Sequence, residues 1–145
     1  MSKFLKSLFV DPTADWTRCV SDPVLGELVL NEDAGWDTTI ELNGEAIGFC
    51  IGGEAKPDEA LVEHARSIVR NFVEFERMIR DFLSAECVKQ PEWAEEIRQL
   101  RIASVDLFWP GRPNDGEICF SGPDPYRLWR CGYIDRRPNN LGFDD

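Results

Sequence analysis

His64 is the only histidine in the chain, so any Ser-His-Asp or Cys-His arrangement for nucleophilic catalysis would have to use it. It lies in a stretch of helical period with Glu59, Glu63 and Arg66 around it, which predicts a solvated helix face and an ordinary surface histidine. Cys19, Cys50, Cys87, Cys119 and Cys131 are the remaining soft ligands and nucleophiles. Structural zinc needs such ligands in close pairs, whereas the nearest two, Cys119 and Cys131, have eleven residues between them and no histidine beside them. The odd number and wide scatter of the cysteines speak against a disulfide framework and predict five free thiols serving mainly as small hydrophobes. No metal or cofactor is expected.

Two further patterns have weak chemistry. Gly52-Gly53-Glu54-Ala55-Lys56 ahead of a helix has the glycine content of a phosphate-cradling loop. It lacks the Walker spacing, and Glu54, Asp58 and Glu59 place negative charge where phosphate would sit. The carboxylate pairs Glu59 with Glu63 and Glu92 with Glu96 are one helical turn apart. A general acid needs its pKa raised by burial or a neighbouring charge, and both pairs read instead as solvated helix surface.

The C-terminal third is different. There Trp109, Tyr126, Trp129 and Tyr133 accompany Arg112, Arg127, Arg130, Arg136 and Arg137 in an otherwise acidic chain. Aromatic residues and arginine are enriched at binding hot spots, which makes Trp109, Arg112, Trp129 and Arg130 the candidate binding residues. The competing reading has the two tryptophans in the core and the arginines neutralising the acidic surface.

The elements that must hold these residues follow from periodicity. The net charge is −11, of which residues 1–56 carry −6, residues 57–100 carry −4 and residues 101–145 carry −1. Such acidity disfavours contact with a nucleic-acid backbone or an anionic membrane surface. A chain of 145 residues with 43% hydrophobic content suits a single domain, 1–145, with one core. Its N-terminal apolar run is broken by Lys6 and stopped at Asp11-Pro12, too short for a signal peptide or a span, which predicts a cytoplasmic protein.

After a short amphipathic start, residues 16–20 and 24–30 read as strands around the turn at Ser21-Asp22-Pro23. Trp36, Thr38, Ile40 and Leu42 alternate with polar residues up to Asn43-Gly44, which predicts a two-residue hairpin turn pairing Ile40 with Ile47, Thr38 with Phe49 and Trp36 with Ile51. From Pro57 to Gln90 a single long helix is expected. Its stripe is Leu61, Ala65, Ile68, Phe72, Phe75, Ile79 and Phe82, widened by Val62, Val69, Val73 and Leu83. A shorter helix then presents Trp93, Ile97 and Leu100. Residues 102–109, 117–121 and 127–134 read as strands and the tail from Pro138 as extended or loose. The fold class is therefore α+β, an antiparallel sheet from the N-terminal and C-terminal strands with one long and one short helix packed on it.

The segments Asp22-Pro-Val-Leu-Gly-Glu-Leu28, the Trp36 hairpin, Ser104-Val-Asp-Leu-Phe-Trp109, Leu128-Trp-Arg-Cys-Gly-Tyr133 and Leu141-Gly-Phe-Asp-Asp145, in this order, resemble an uncharacterised family of small bacterial proteins. The resemblance spans nearly the whole chain and implies no catalytic residue. It implies a bacterial source and a similarity in style to the immunity-type proteins that accompany secreted toxins. The leading expectation is a non-enzymatic binding protein, an immunity-type inhibitor whose acidic surface covers a basic partner. One alternative is a hydrolase or transferase with a spatially assembled Asp, Glu or Cys site. Another is a dimeric structural or regulatory subunit with the long helix as its seam, and the sequence leaves the oligomeric state open.

Overall fold

Asn43 and Gly44 adopt φ values of 54° and 82°, the left-handed pair that a two-residue hairpin turn requires. They join β3 (Gly35–Leu42) to β4 (Glu45–Gly52), with Ile40 opposite Ile47, Thr38 opposite Phe49 and Trp36 opposite Ile51, as the alternation predicts. The computed structural model of the chain describes residues 18–144. The amphipathic start and the first residues of the expected leading strand, Trp16 and Thr17, lie outside them.

Around this hairpin one eight-stranded sheet forms in chain order. It begins with β1 (Cys19–Asp22) and β2 (Gly26–Leu30) and continues past β4 with β5 (Arg101–Leu107), β6 (Gly116–Ser121), β7 (Leu128–Ile134) and β8 (Arg137–Asp144). The tail, read as extended or loose, is thus extended and forms a full edge strand. Nor is the sheet wholly antiparallel, because β4 and β5 run parallel. Parallel neighbours need a long crossover, and here it consists of all the helices, α1 (Glu59–Arg70), α2 (Phe72–Lys89) and α3 (Ala94–Ile97).

Three helices replace the expected long and short pair. The long periodic stretch breaks at Asn71, whose φ of −118° and ψ of 39° leave the helical region. Both its backbone N–H and its side-chain Nδ2 donate to the Ser67 carbonyl at 3.0 Å, closing the last turn of α1. The break keeps Ile68, Phe72, Phe75 and Ile79 in the core while turning Val73 out to 69% exposure. At the other end Asp58 caps α1 by accepting from the Leu61 N–H at 3.2 Å. The shorter helix is a 3₁₀ turn at Pro91–Trp93 that runs into α3.

One sheet face receives these helices. Trp36, Phe49, Ile51, Val105, Leu107, Ile118, Phe120 and Trp129 are buried there together with the helical stripe. Asp22 ties the first strands to α1, because its carboxylate accepts from the Val24 and Leu25 N–H groups and from Arg66 Nε at 3.0 Å. That guanidinium lowers its pKa to about 2.

His64 also belongs to this covered side, at 2% exposure, and is not the surface residue its neighbours suggest. Glu59, Glu63 and Arg66 form their ion pairs on the outer side of α1, while His64 points inward. Its Nδ1 lies 2.7 Å from the Pro113 carbonyl and must donate to it, so Nε2, 3.2 Å from Tyr133 Oη, accepts from the phenol. Burial, aided by the charge on Arg136, lowers its pKa and keeps the ring neutral. Among the described residues no helix is long and apolar enough to cross a membrane.

Candidate functional site

Among the described residues the other face of the sheet carries no helix, and strand register arranges its side chains in rows. One row runs through Val29, Asp37, Cys50, Asp106, Glu117, Gly132 and Asn139, each the direct cross-strand partner of the next. A second, beside it, runs through Thr39, Gly48, Ser104, Cys119, Arg130 and Gly142. Side chains alternate between faces along a strand, so both rows project away from the core.

Small residues hollow this face. Asp37, Thr39, Gly48, Cys50, Ser104 and Asp106 surround a depression of about 250 Å³. A second of about 350 Å³, around Glu117, Arg130, Gly132 and Asp144, lies toward β8. At Gly48 a Cβ would meet Ser104 Cβ at 3.6 Å, an ordinary contact, so the floor there is open by choice of residue and not by strain.

The electrostatics of the first row are unfavourable for folding. Asp106 and Glu117 are directly opposite, an arrangement in which like charges destabilise a sheet. Partial burial is the main cause that raises the Asp106 pKa to about 6, and the charge on Glu117 adds to it. Asn31 Nδ2 donates to both Asp37 carboxylate oxygens at 3.1 Å, and Cys119 Sγ donates to Asp106 at 3.7 Å. Among the described residues no lysine or arginine forms an ion pair with Asp37 or Asp106. Glu117 lies 3.7 Å from Arg130, which also binds Asp144.

The chemistry open to this face is set by its protonation states. Partial burial raises the Cys50 thiol to about 12 and the Cys119 thiol to about 11, so both carry protons near neutrality. Donor atoms of Asp106, Glu117 and Cys119 lie within 4.8 Å of one another, a spacing that could hold a metal ion that displaced the thiol proton. All five cysteines are free, and only Cys131 is buried.

The four candidate binding residues are not brought together. Arg130 is on the open face, whereas Trp129, its neighbour on β7, is 0% exposed on the covered one, where Nε1 donates to Glu96 at 2.8 Å. Glu96 also accepts from Arg127 at 2.7 Å, so this carboxylate closes over the Trp93, Trp129 and Phe143 cluster instead of lying on solvated helix surface. Trp109 and Arg112 stack beyond the end of β5, with the guanidinium 4.4 Å from the ring centroid. Asp37, Ser104, Asp106, Glu117 and Cys119 were not among the candidates. Each alternates with core residues along its own strand, which is a signal of outward facing, but their convergence depends on the parallel β4 and β5 pairing. Comparison of the chain with family models, with curated proteins and with solved structures gave no match.

Proposed function

We propose that the chain is a non-enzymatic protein-binding domain whose open sheet face receives a basic segment of a partner, as an immunity-type inhibitor would, acting in the cytoplasm. The observation that carries the reading is the row Asp37, Cys50, Asp106 and Glu117. It holds two carboxylates that no cation among the described residues pairs with, and a like-charge pair that costs stability, a cost that a lysine or arginine from a partner would relieve. Gly48 and Ser104 leave room for such a side chain. Arg130 would set register through Glu117 and Asp144, and the exposed Trp109 and Arg112 pair would supply rim contacts.

The alternatives draw less support. A thiol hydrolase or transferase needs a thiolate beside a base, whereas Cys50 and Cys119 are held protonated and His64 lies on the opposite face with both ring nitrogens engaged. A dimer seam along the long helix would need the apolar stripe that the sheet already buries.

The test compares two triple variants of equal charge. D37N/D106N/E117Q neutralises the row, and E74Q/D81N/E92Q neutralises exposed helical carboxylates. For a basic protein captured by the wild-type chain at low salt, the first should slow association about tenfold or more and flatten its salt dependence, while the second changes it about twofold at most. Equal slowing by both would reduce the effect to net charge and remove the face from the argument. Turnover of a substrate abolished by D106N alone would favour the enzyme.

A further inference from the structure

A cavity of about 610 Å³ lies away from both rows, where α2 and the segment after α3 meet the ends of β5 and β6. Arg80, Arg98 and Arg101 line it together with Ser121 and Gly122. Among the described residues no carboxylate does, in a chain with 27 acidic and 16 basic residues. Three guanidiniums around one cavity in so acidic a molecule form a local positive field that favours an anion.

Local structure shapes the site. Arg80 reaches across from α2 and Nη1 donates to the Leu100 carbonyl at 2.7 Å, which orients the guanidinium and leaves further N–H groups to face a ligand. Gly122 keeps the wall low, because a Cβ there would come within 2.8 Å of Leu100 Cδ2. Arg98 and Arg101 pair with Glu95 and Glu45 at 3.0 and 3.1 Å, but their side chains are 60% and 65% exposed. Such pairs are weak and solvent-screened, and an oxyanion can displace them.

From this geometry we propose that the cavity binds a small ligand carrying two linked phosphoryl groups. The guanidinium fork matches phosphate oxygens bidentately, and two phosphoryl groups supply enough charge and enough acceptors for three arginines, which a single carboxylate does not. Among the described residues the lining has no aromatic side chain on which a base could stack. Recognition therefore rests on the diphosphate itself, whether inorganic or part of a nucleotide. This site is separate from the carboxylate rows and stands or falls independently of them.

Calorimetric titration of the full chain with inorganic pyrophosphate and, separately, with ADP tests the proposal. Saturable binding of pyrophosphate is expected, weakened about tenfold or more in R98Q/R101Q and changed less than about twofold in R137Q, which removes an exposed arginine elsewhere. Both altered side chains are largely in solvent, so the unliganded melting temperature should hold while its rise on adding pyrophosphate is lost. Equal affinity for the two ligands would show that the phosphoryl groups alone are read. Tighter ADP binding that is still lost in R98Q/R101Q would add nucleoside contacts to the same anion site. Absence of saturable binding by either ligand at about 1 mM, or equal weakening by R137Q, would overturn the assignment.

Discussion

The two faces of the sheet are built from the same strands and obey opposite rules. On the covered face the buried polar groups among the described residues have partners: His64 with Pro113 and Tyr133, Asp22 with Arg66, Glu86 with Gln90, and the Trp129 indole with Glu96. On the open face Asp106 faces Glu117 across the β5 and β6 ladder, and burial holds its pKa near 6. One face is arranged for stability and the other carries a like-charge cost, the contrast on which the proposed binding role rests.

The largest expected effect lies on the covered face. Trp129→Ala should destabilise by about 3–5 kcal/mol, because it empties a fully buried site and leaves Glu96 without the indole N–H. Denaturant unfolding measures this directly, and a loss near zero would place Trp129 on a surface. Asp22→Asn is next, at about 2 kcal/mol, from the carboxyl pKa that Arg66 lowers to about 2 against an ordinary 3.8. Since the folded pKa is lowered, this stabilisation is complete above pH 3.8 and disappears as pH falls through about 2. Unfolding curves at pH 7 and pH 2.5 should therefore show the gap between wild type and variant shrinking in acid.

Asp106→Asn reverses the sign. The folded pKa, about 6, lies above the ordinary 3.8, so the folded chain binds the extra proton between these values and wild-type stability falls as pH rises through 6. Asparagine removes the charge, and the variant should be more stable at pH 7 by about 1–2 kcal/mol, discounted for the site's partial exposure. The gain should vanish below about pH 4. A destabilised D106N at neutral pH would break the contrast between the faces.

How much of this was legible follows from range. The hairpin was, down to its register, because Asn43-Gly44 and the alternation around it act over two to eight residues. The helical stripe was legible but the break in it was not, since Ile68, Phe72 and Phe75 keep their spacing across Asn71 and only the bonds to Ser67 reveal it. His64 misled because its chain neighbours face solvent while its partners, Pro113 and Tyr133, come from far along the chain. The carboxylate row shows the same limit. Outward facing is a property of each strand, but setting Cys50 beside Asp106 requires the parallel pairing across the whole helical crossover.

The smallest effect tests how closely the covered face accounts for its polar atoms. In Tyr133→Phe the ring and its packing remain, and only the hydroxyl that donates to His64 Nε2 is lost. Burial raises the Tyr133 pKa to about 12, so the phenol is protonated and able to donate at any working pH. Without it the imidazole nitrogen has no donor, and the cost should be about 1 kcal/mol. The pH dependence tells which proton arrangement is present. Because the His64 pKa is lowered from 6.5, the unfolded chain protonates first, and wild-type stability declines as pH falls below 6.5. The hydroxyl donates to the neutral ring, and once the folded His64 takes up its second proton, on Nε2, the Tyr133 oxygen accepts from it instead. Its loss should therefore cost at least as much in acid as above pH 6.5, because the bond to the charged ring is the stronger one. Melts of wild type and Y133F across this range measure the difference. A penalty that shrank in acid would mean that the protonated ring no longer faces Tyr133.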